Sequence, residues 1–359
     1  ISNDLQDAVA QRTLDPLFAS GSVRHRGETI VFVYKAAAEI GELGDNTKHI
    51  REQVAADDLL RRVLSVPDAR TVVLGHTRWA SVGIISEPNA HPVNGEEIAG
   101  GNDSVSVAVL NGDVDNHADL KVRHNLRFAD PITTDAKVIP ALVDRGRLGD
   151  ASSLDAFLNA VTQFEGSVAI GYCSADEPGE MYLALNGSGQ GLYVGLAEDR
   201  FIVASETYGT VEETLQYIRL DGETPLHKDQ PSSRGQVVRL SQAGAGTLDG
   251  ISMYAYDGTP IPLSAADVHI AEVTTRDIDR GDAPHFLLKE IREAPRSFRK
   301  TIRGRTVENN GLLVPELDQF TLPSAIVEKI RSGVIKRIRI IGQGTAAVAG
   351  TSLVPVLGS

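Results

Sequence analysis

The chain has 359 residues, of which 42% are hydrophobic and 23% charged, and a formal net charge of −13. That length exceeds one small core and suits two domains, while the acidic balance argues against nucleic acid or an anionic membrane as a partner. The single cysteine, Cys173, excludes a disulfide framework within the chain and fits a reducing cytoplasm.

No apolar run approaches the roughly 20 residues that span a bilayer. Ile1-Ser2-Asn3-Asp4 has neither the basic nor the apolar region of a signal peptide. Asn3 or Asp4 caps a predicted helix from about Leu5 to Phe18, with Leu5, Val9, Leu14 and Leu17 at helical spacing. Arg24-His25-Arg26-Gly27 turns into a strand, Thr29 to Tyr34. Ile50 to Leu64 reads as one helix with Asp57-Asp58 and Arg61-Arg62 on its wet side.

Thr71-Val72-Val73-Leu74 is β-branched and predicts a strand buried on both faces, leading into His76-Thr77-Arg78-Trp79-Ala80 and then Asn89-Ala90-His91-Pro92. Arg78 therefore sits at a strand end. Its guanidinium stays charged and its planar fork suits a carboxylate, which a bound amino acid could supply. Taken singly, Trp79 also reads as packing and Arg78 as a solvated charge.

Ser104 to Leu110 is a further strand ending in Asn111-Gly112-Asp113. Asn-Gly is the commonest hairpin signal. Here, however, Asp115 to Leu120 looks like a capped helix start, so the pair belongs to a strand-to-helix turn. At such a turn an Asn amide and a Gly N–H can converge on one point, as an oxyanion hole requires. Thr133-Thr134-Asp135 precedes a helix, Ala136 to Val143, and Asp135 can serve as its N-cap.

Short strands follow at Gly166–Cys173, Met181–Leu185, Gly191–Gly195, Phe201–Ser205, Gln236–Leu240 and Gly250–Tyr256, a meander that predicts two packed sheets flanked by helices. After Pro260-Ile261-Pro262 the chain turns charged and helical, Asp277 to Arg305. Val334 to Ile341 then reads as a strand running into Gly342-Gln343-Gly344-Thr345. That glycine-rich turn suits a phosphate cradle and equally plain packing. The nine histidines do not combine with Asp or Glu at metal-ligand spacing, so no metal is expected.

In order and approximate spacing, His76 to Ala80, Asn89 to Pro92, Asn111-Gly112 with Asn116-His117, Thr134-Asp135 and His285 to Pro295 resemble the glutamine:fructose-6-phosphate aminotransferase family. Trp79 and the helix after His285 favour it over the related amidophosphoribosyltransferases. The resemblance implies an α+β fold, with an N-terminal-nucleophile hydrolase of four αββα layers over residues 1–265 acting as a class II glutamine amidotransferase. A helical linker, 266–310, and the truncated start of an α/β sugar isomerase (SIS) domain, 311–359, would follow. It further implies that glutamine is hydrolysed by an N-terminal cysteine and its ammonia passed to a sugar phosphate, without cofactor, in a homo-oligomer joined through the sugar domain.

Carried over by match, Arg78 would hold the glutamine carboxylate and Asp135 its ammonium. Asn111 and Gly112 would form the oxyanion hole and Trp79 a closing loop, with His76 and His91 making orienting hydrogen bonds. Gly344 and Thr345 would belong to the sugar-phosphate loop, although Thr345-Ala346-Ala347 departs from the family's usual serine and threonine, and Val82 stands where a histidine is usual. Residue 1 is Ile1. The expectation is a cysteine ahead of Ile1 in the full protein. The alternatives are a silent binding or scaffold module, or an amidotransferase with another acceptor.

Overall fold

The computed structural model describes residues 3–37, 45–78, 83–98, 105–148, 151–273, 279–316, 322–339, 341, 348 and 350–352. The chain divides into two compact units, Ile1–Ile278 and Asp279–Ser359.

The first unit opens with α1 (Asn3–Arg12), which stops well short of the predicted Phe18. Pro16 supplies no N–H and keeps Asp15 out of the helical region. Leu14 is consequently exposed, while Leu17 is buried outside the helix. Strands β1 (Ser22–Arg26) and β2 (Thr29–Val33) form an antiparallel hairpin, and Gly27 makes its turn with φ +57°.

The single helix predicted from Ile50 to Leu64 is two, α2 (Asp45–Ala56) and α3 (Asp58–Leu64). Asp57 breaks it and is not on the wet side. One carboxylate oxygen accepts the N–H groups of Leu59 and Leu60, at 3.0 and 3.1 Å, and the other accepts from Arg12 Nη1 and the Tyr34 hydroxyl, both at 2.6 Å. Burial alone would raise this carboxyl, but the hydrogen bonds from Tyr34, Arg12 and Leu60 outweigh it and hold it below its ordinary value.

A carboxylate depressed in this way stabilises the fold above its unfolded pKa and loses that contribution as pH falls through the folded one. Asp57→Ala is thus expected to cost about 3 kcal/mol at neutral pH, through the lost cap and the stranded Arg12. In urea titrations the gap between variant and wild type should close below about pH 4.

The body of the unit is two packed sheets. The larger contains β3 (Val93–Asn94), β4 (Ser106–Gly112), β5 (Val168–Ser174), β6 (Glu180–Asn186), β10 (Gln236–Ser241), β11 (Ile251–Ala255) and β12 (Pro260–Ile261), all antiparallel, in the order β12-β11-β10-β6-β5-β4-β3. The smaller contains β7 (Tyr193–Leu196), β8 (Phe201–Ala204), β9 (Gln216–Arg219) and β13 (His269–Ile270), in the order β13-β9-β7-β8.

Alternation along the strands divides the larger sheet's two faces. Val168, Ile170, Tyr172, Ala184 and Val237 face a core shared with α4 (His117–Arg123), α5 (Val138–Gly146) and α6 (Ser153–Val161). Ala169, Leu183, Leu185, Val238 and Leu240 pack on Val194 and Ile218 of the smaller sheet. The layers thus run helices, sheet, sheet in an α+β unit, and α1 and α3 pack on the β1–β2 hairpin through Leu5, Val9, Val23 and Leu59.

Thr71–Leu74 does not form the strand predicted for it. Its residues have no ladder partner among the described residues, and Val72 and Val73 are 43% and 80% exposed. The β-branched composition favours extended backbone, but only a neighbouring strand makes a ladder.

In the second unit, α7 (Phe286–Ile302) begins at His285, whose imidazole accepts the Leu288 N–H, and contains Pro295. The hairpin β14 (Thr306–Asn309) and β15 (Leu312–Pro315) and helix α8 (Ser324–Arg331) follow. The strand predicted from Val334 is not formed over residues 334–339, where Val334 and Ile338 are exposed. Gly344 and Thr345 lie outside the described residues. No described helix is long and apolar enough to cross a membrane.

Candidate active site

A cavity of about 780 Å³ lies in the first unit, lined by residues of both sheets and by 71–78. Its lining includes His76, Arg78, His91, Asn111, Gly112 and Asp135. Six of the predicted site residues thus meet there. Trp79 lies outside the described residues. Gly83, just beyond it, passes so close to Thr133 that a Cβ would fall 2.9 Å from the hydroxyl.

Asn111 and Gly112 are the last residues of β4, opposite Ala169 and Val168. The chain then leaves the sheet for α4, so the strand-to-helix reading holds and the hairpin does not. The Asn111 side chain is exposed and has no partner among the described residues. Gly112 has φ +115°, and a Cβ there would lie 1.9 Å from the Ser167 carbonyl oxygen.

Asp135 is buried and opens a short 3-10 turn ahead of α5, but its side chain caps nothing there. Instead one carboxylate oxygen accepts the Val114 N–H at 2.8 Å and the other the Thr134 hydroxyl at 3.3 Å. Asp135 and Arg78 attract across the cavity. Burial lowers the guanidinium's pKa and the carboxylate opposes that shift. A buried anion and a half-buried cation beside an amide suit a zwitterion that carries its own carboxamide.

His76 and His91 pack with ring centroids 4.5 Å apart. Burial, reinforced by His76, Arg78 and Lys35, pushes His91 down to about 2, so its imidazole is neutral at physiological pH. His76 is also lowered by burial. Cys173 is no nucleophile for this cavity. It sits inside β5, and burial pushes its thiol up to about 12.

Two buried lysines escaped sequence reasoning. Lys137 donates to Asn94 O, Asn94 Oδ1 and Glu96 O at 2.5, 2.8 and 2.7 Å, and burial lowers it to about 7. Lys35 is 1% exposed, with no partner for its amine among the described residues. The available signal for Lys137 was its place within the apolar run around Ala136 and Val138.

No family model matches the chain. A glutamine–fructose-6-phosphate aminotransferase [isomerizing] of Oceanobacillus iheyensis is 31% identical over 318 residues, covering 88% of this chain and 46% of the relative. That of Streptococcus mutans is 30% identical over 295 residues, covering 81% and 42%. Over most of its length the chain is similar to members of this aminotransferase family. A Bacillus cereus member is 29% identical over 336 residues, 93% of this chain and 46% of its own length. The chain therefore spans about half the length of the curated relatives it matches. Among solved structures, a glutamine phosphoribosylpyrophosphate amidotransferase from B. subtilis matches half of this chain and 34% of its own at 21% identity, with a TM-score of 0.37, a likeness too slight to build on.

Proposed function

We propose that the first unit binds glutamine and releases its amide nitrogen as ammonia, for transfer to fructose 6-phosphate by the enzyme of which this chain is part. The convergence of Arg78, Asp135 and Asn111-Gly112 on one cavity supports this most directly. Arg78 takes the α-carboxylate and Asp135 the α-ammonium. A cysteine thiol gives its proton to its own free α-amine, with a pKa of about 8, and the thiolate attacks the carboxamide carbon.

The oxyanion forms at the Asn111 amide and the Gly112 N–H, and one such donor supplies about 3 kcal/mol. Collapse, with that proton passed from the cysteine's α-ammonium to the leaving nitrogen, expels ammonia and leaves a thioester, which water hydrolyses to glutamate and the free thiol. The cavity exceeds what one amino acid fills, leaving room beside glutamine for the residues that carry the nucleophile. We further assign the protein to the cytoplasm and to a homo-oligomer, and Gly344-Thr345 to the sugar-phosphate loop.

The reading requires a cysteine with a free α-amine on residues ahead of Ile1. Intact-mass and N-terminal sequencing of the natural protein, before and after treatment with a glutamine-analogue alkylator, tests it. One equivalent of label on a leading cysteine is the expected result. Labelling absent or confined to Cys173 would overturn it in favour of a non-catalytic amino-acid-binding module.

A further inference from the structure

The segment Asn89-Ala90-His91 lies between the two halves of the site and holds a different piece of backbone with each of its polar side chains. Asn89 is 0% exposed and uses all its hydrogen-bonding capacity. Its Oδ1 accepts the N–H groups of Thr133 and Thr134 at 2.7 and 2.9 Å, immediately ahead of Asp135. Its Nδ2 donates to Ser86 Oγ and Pro131 O at 2.9 and 3.1 Å.

On the other side the β3–β4 ladder pairs Asn94 with Val107 and Val93 with Ala108. Continued, that register would set His91 opposite Leu110, but β3 begins only at Val93. The His91 side chain does the strand's work: Nδ1 accepts the Leu110 N–H at 3.3 Å, one residue before Asn111. An unprotonated Nδ1 puts the ring proton on Nε2, so the interaction fixes the tautomer as well.

We propose that Asn89 and His91 are positioning residues forming one bracket. Asn89 sets the approach to Asp135, and His91 sets the end of β4 that carries Asn111 and Gly112. Asn89 is not among the residues that line the cavity, and His91 acts through the Leu110 amide. The inference rests on the function proposed above, and its two arms leave different marks. Loosening Leu110 misplaces the oxyanion donors, which act in the transition state, so kcat falls. Loosening 133–134 misplaces Asp135, which acts in binding, so KM rises.

The test compares His91→Leu with His91→Asn, whose Oδ1 replaces Nδ1 as acceptor, and Asn89→Leu with Asn89→Asp, which keeps the acceptor for Thr133 and Thr134. His91→Leu is expected to lower glutaminase kcat about 100-fold at unchanged KM, to speed exchange of the Leu110 amide hydrogen, and to be largely rescued in His91→Asn. Asn89→Leu is expected to raise KM for glutamine, with Asn89→Asp closer to wild type. Unchanged Leu110 exchange in a folded His91→Leu, or no rescue by asparagine, overturns the bracket. If the wild-type protein releases no ammonia, the proposed function fails by itself, and the Leu110 amide still decides the structural claim. Should both leucine variants fail to fold, slow Leu110 exchange in His91→Asn supports the bracket and fast exchange overturns it.

Discussion

Arg78→Ala is expected to weaken glutamine binding about 100-fold, a loss of about 3 kcal/mol. The guanidinium lines the cavity, half-buried, and its lowered pKa reflects the cost of holding charge there. Removing it would leave the substrate carboxylate in a partly desolvated wall beside the Asp135 carboxylate, so attraction gives way to repulsion. Arg78→Lys should recover only part of the affinity, because an ammonium cannot meet a carboxylate through two parallel donors. Calorimetric titration with glutamine reads both variants. Unchanged affinity in Arg78→Ala would show that the carboxylate is held elsewhere.

Gly112→Ala is expected to be strongly destabilising. At φ +115° an L side chain is strained, and its Cβ would meet the Ser167 carbonyl oxygen at 1.9 Å. Backbone would have to yield, since no flexible side-chain tip stands in the way. Strain and overpacking together should cost about 4 kcal/mol. The shift would fall on the N–H assigned to the oxyanion, so ammonia release should vanish even in molecules that remain folded. Thermal unfolding and single-turnover glutaminase assays separate the two effects. A variant with wild-type stability would contradict the close approach to Ser167.

Much of this was legible in the sequence where a residue's local chemistry sets its environment. The central strands of the larger sheet read as near-continuous apolar runs because that sheet is buried on both faces, and the Asn111-Gly112 turn was readable from the helix start behind it. What could not be read depended on partners distant in the chain. Asp57 looks like half of a wet acidic pair until Arg12 and Tyr34 arrive to bury it. Thr71–Leu74 has a strand's composition and no ladder partner among the described residues. Asn89 and His91 stand in a recognisable motif, but their value lies in which amides they receive, and those come from residues 110, 133 and 134.

The Val114 N–H that ends on Asp135 links the two halves of the site by the shortest route available, since Val114 is only two residues past Gly112. The Asp135 carboxylate is therefore tied to the same stretch of backbone that carries the Gly112 N–H. On the proposed reading the pocket works as a ruler. Glutamine, anchored at its amino-acid end, reaches the donors with its carboxamide. Asparagine, anchored identically and one methylene shorter, stops before them, so selection between the two amides needs no contact that only one of them makes.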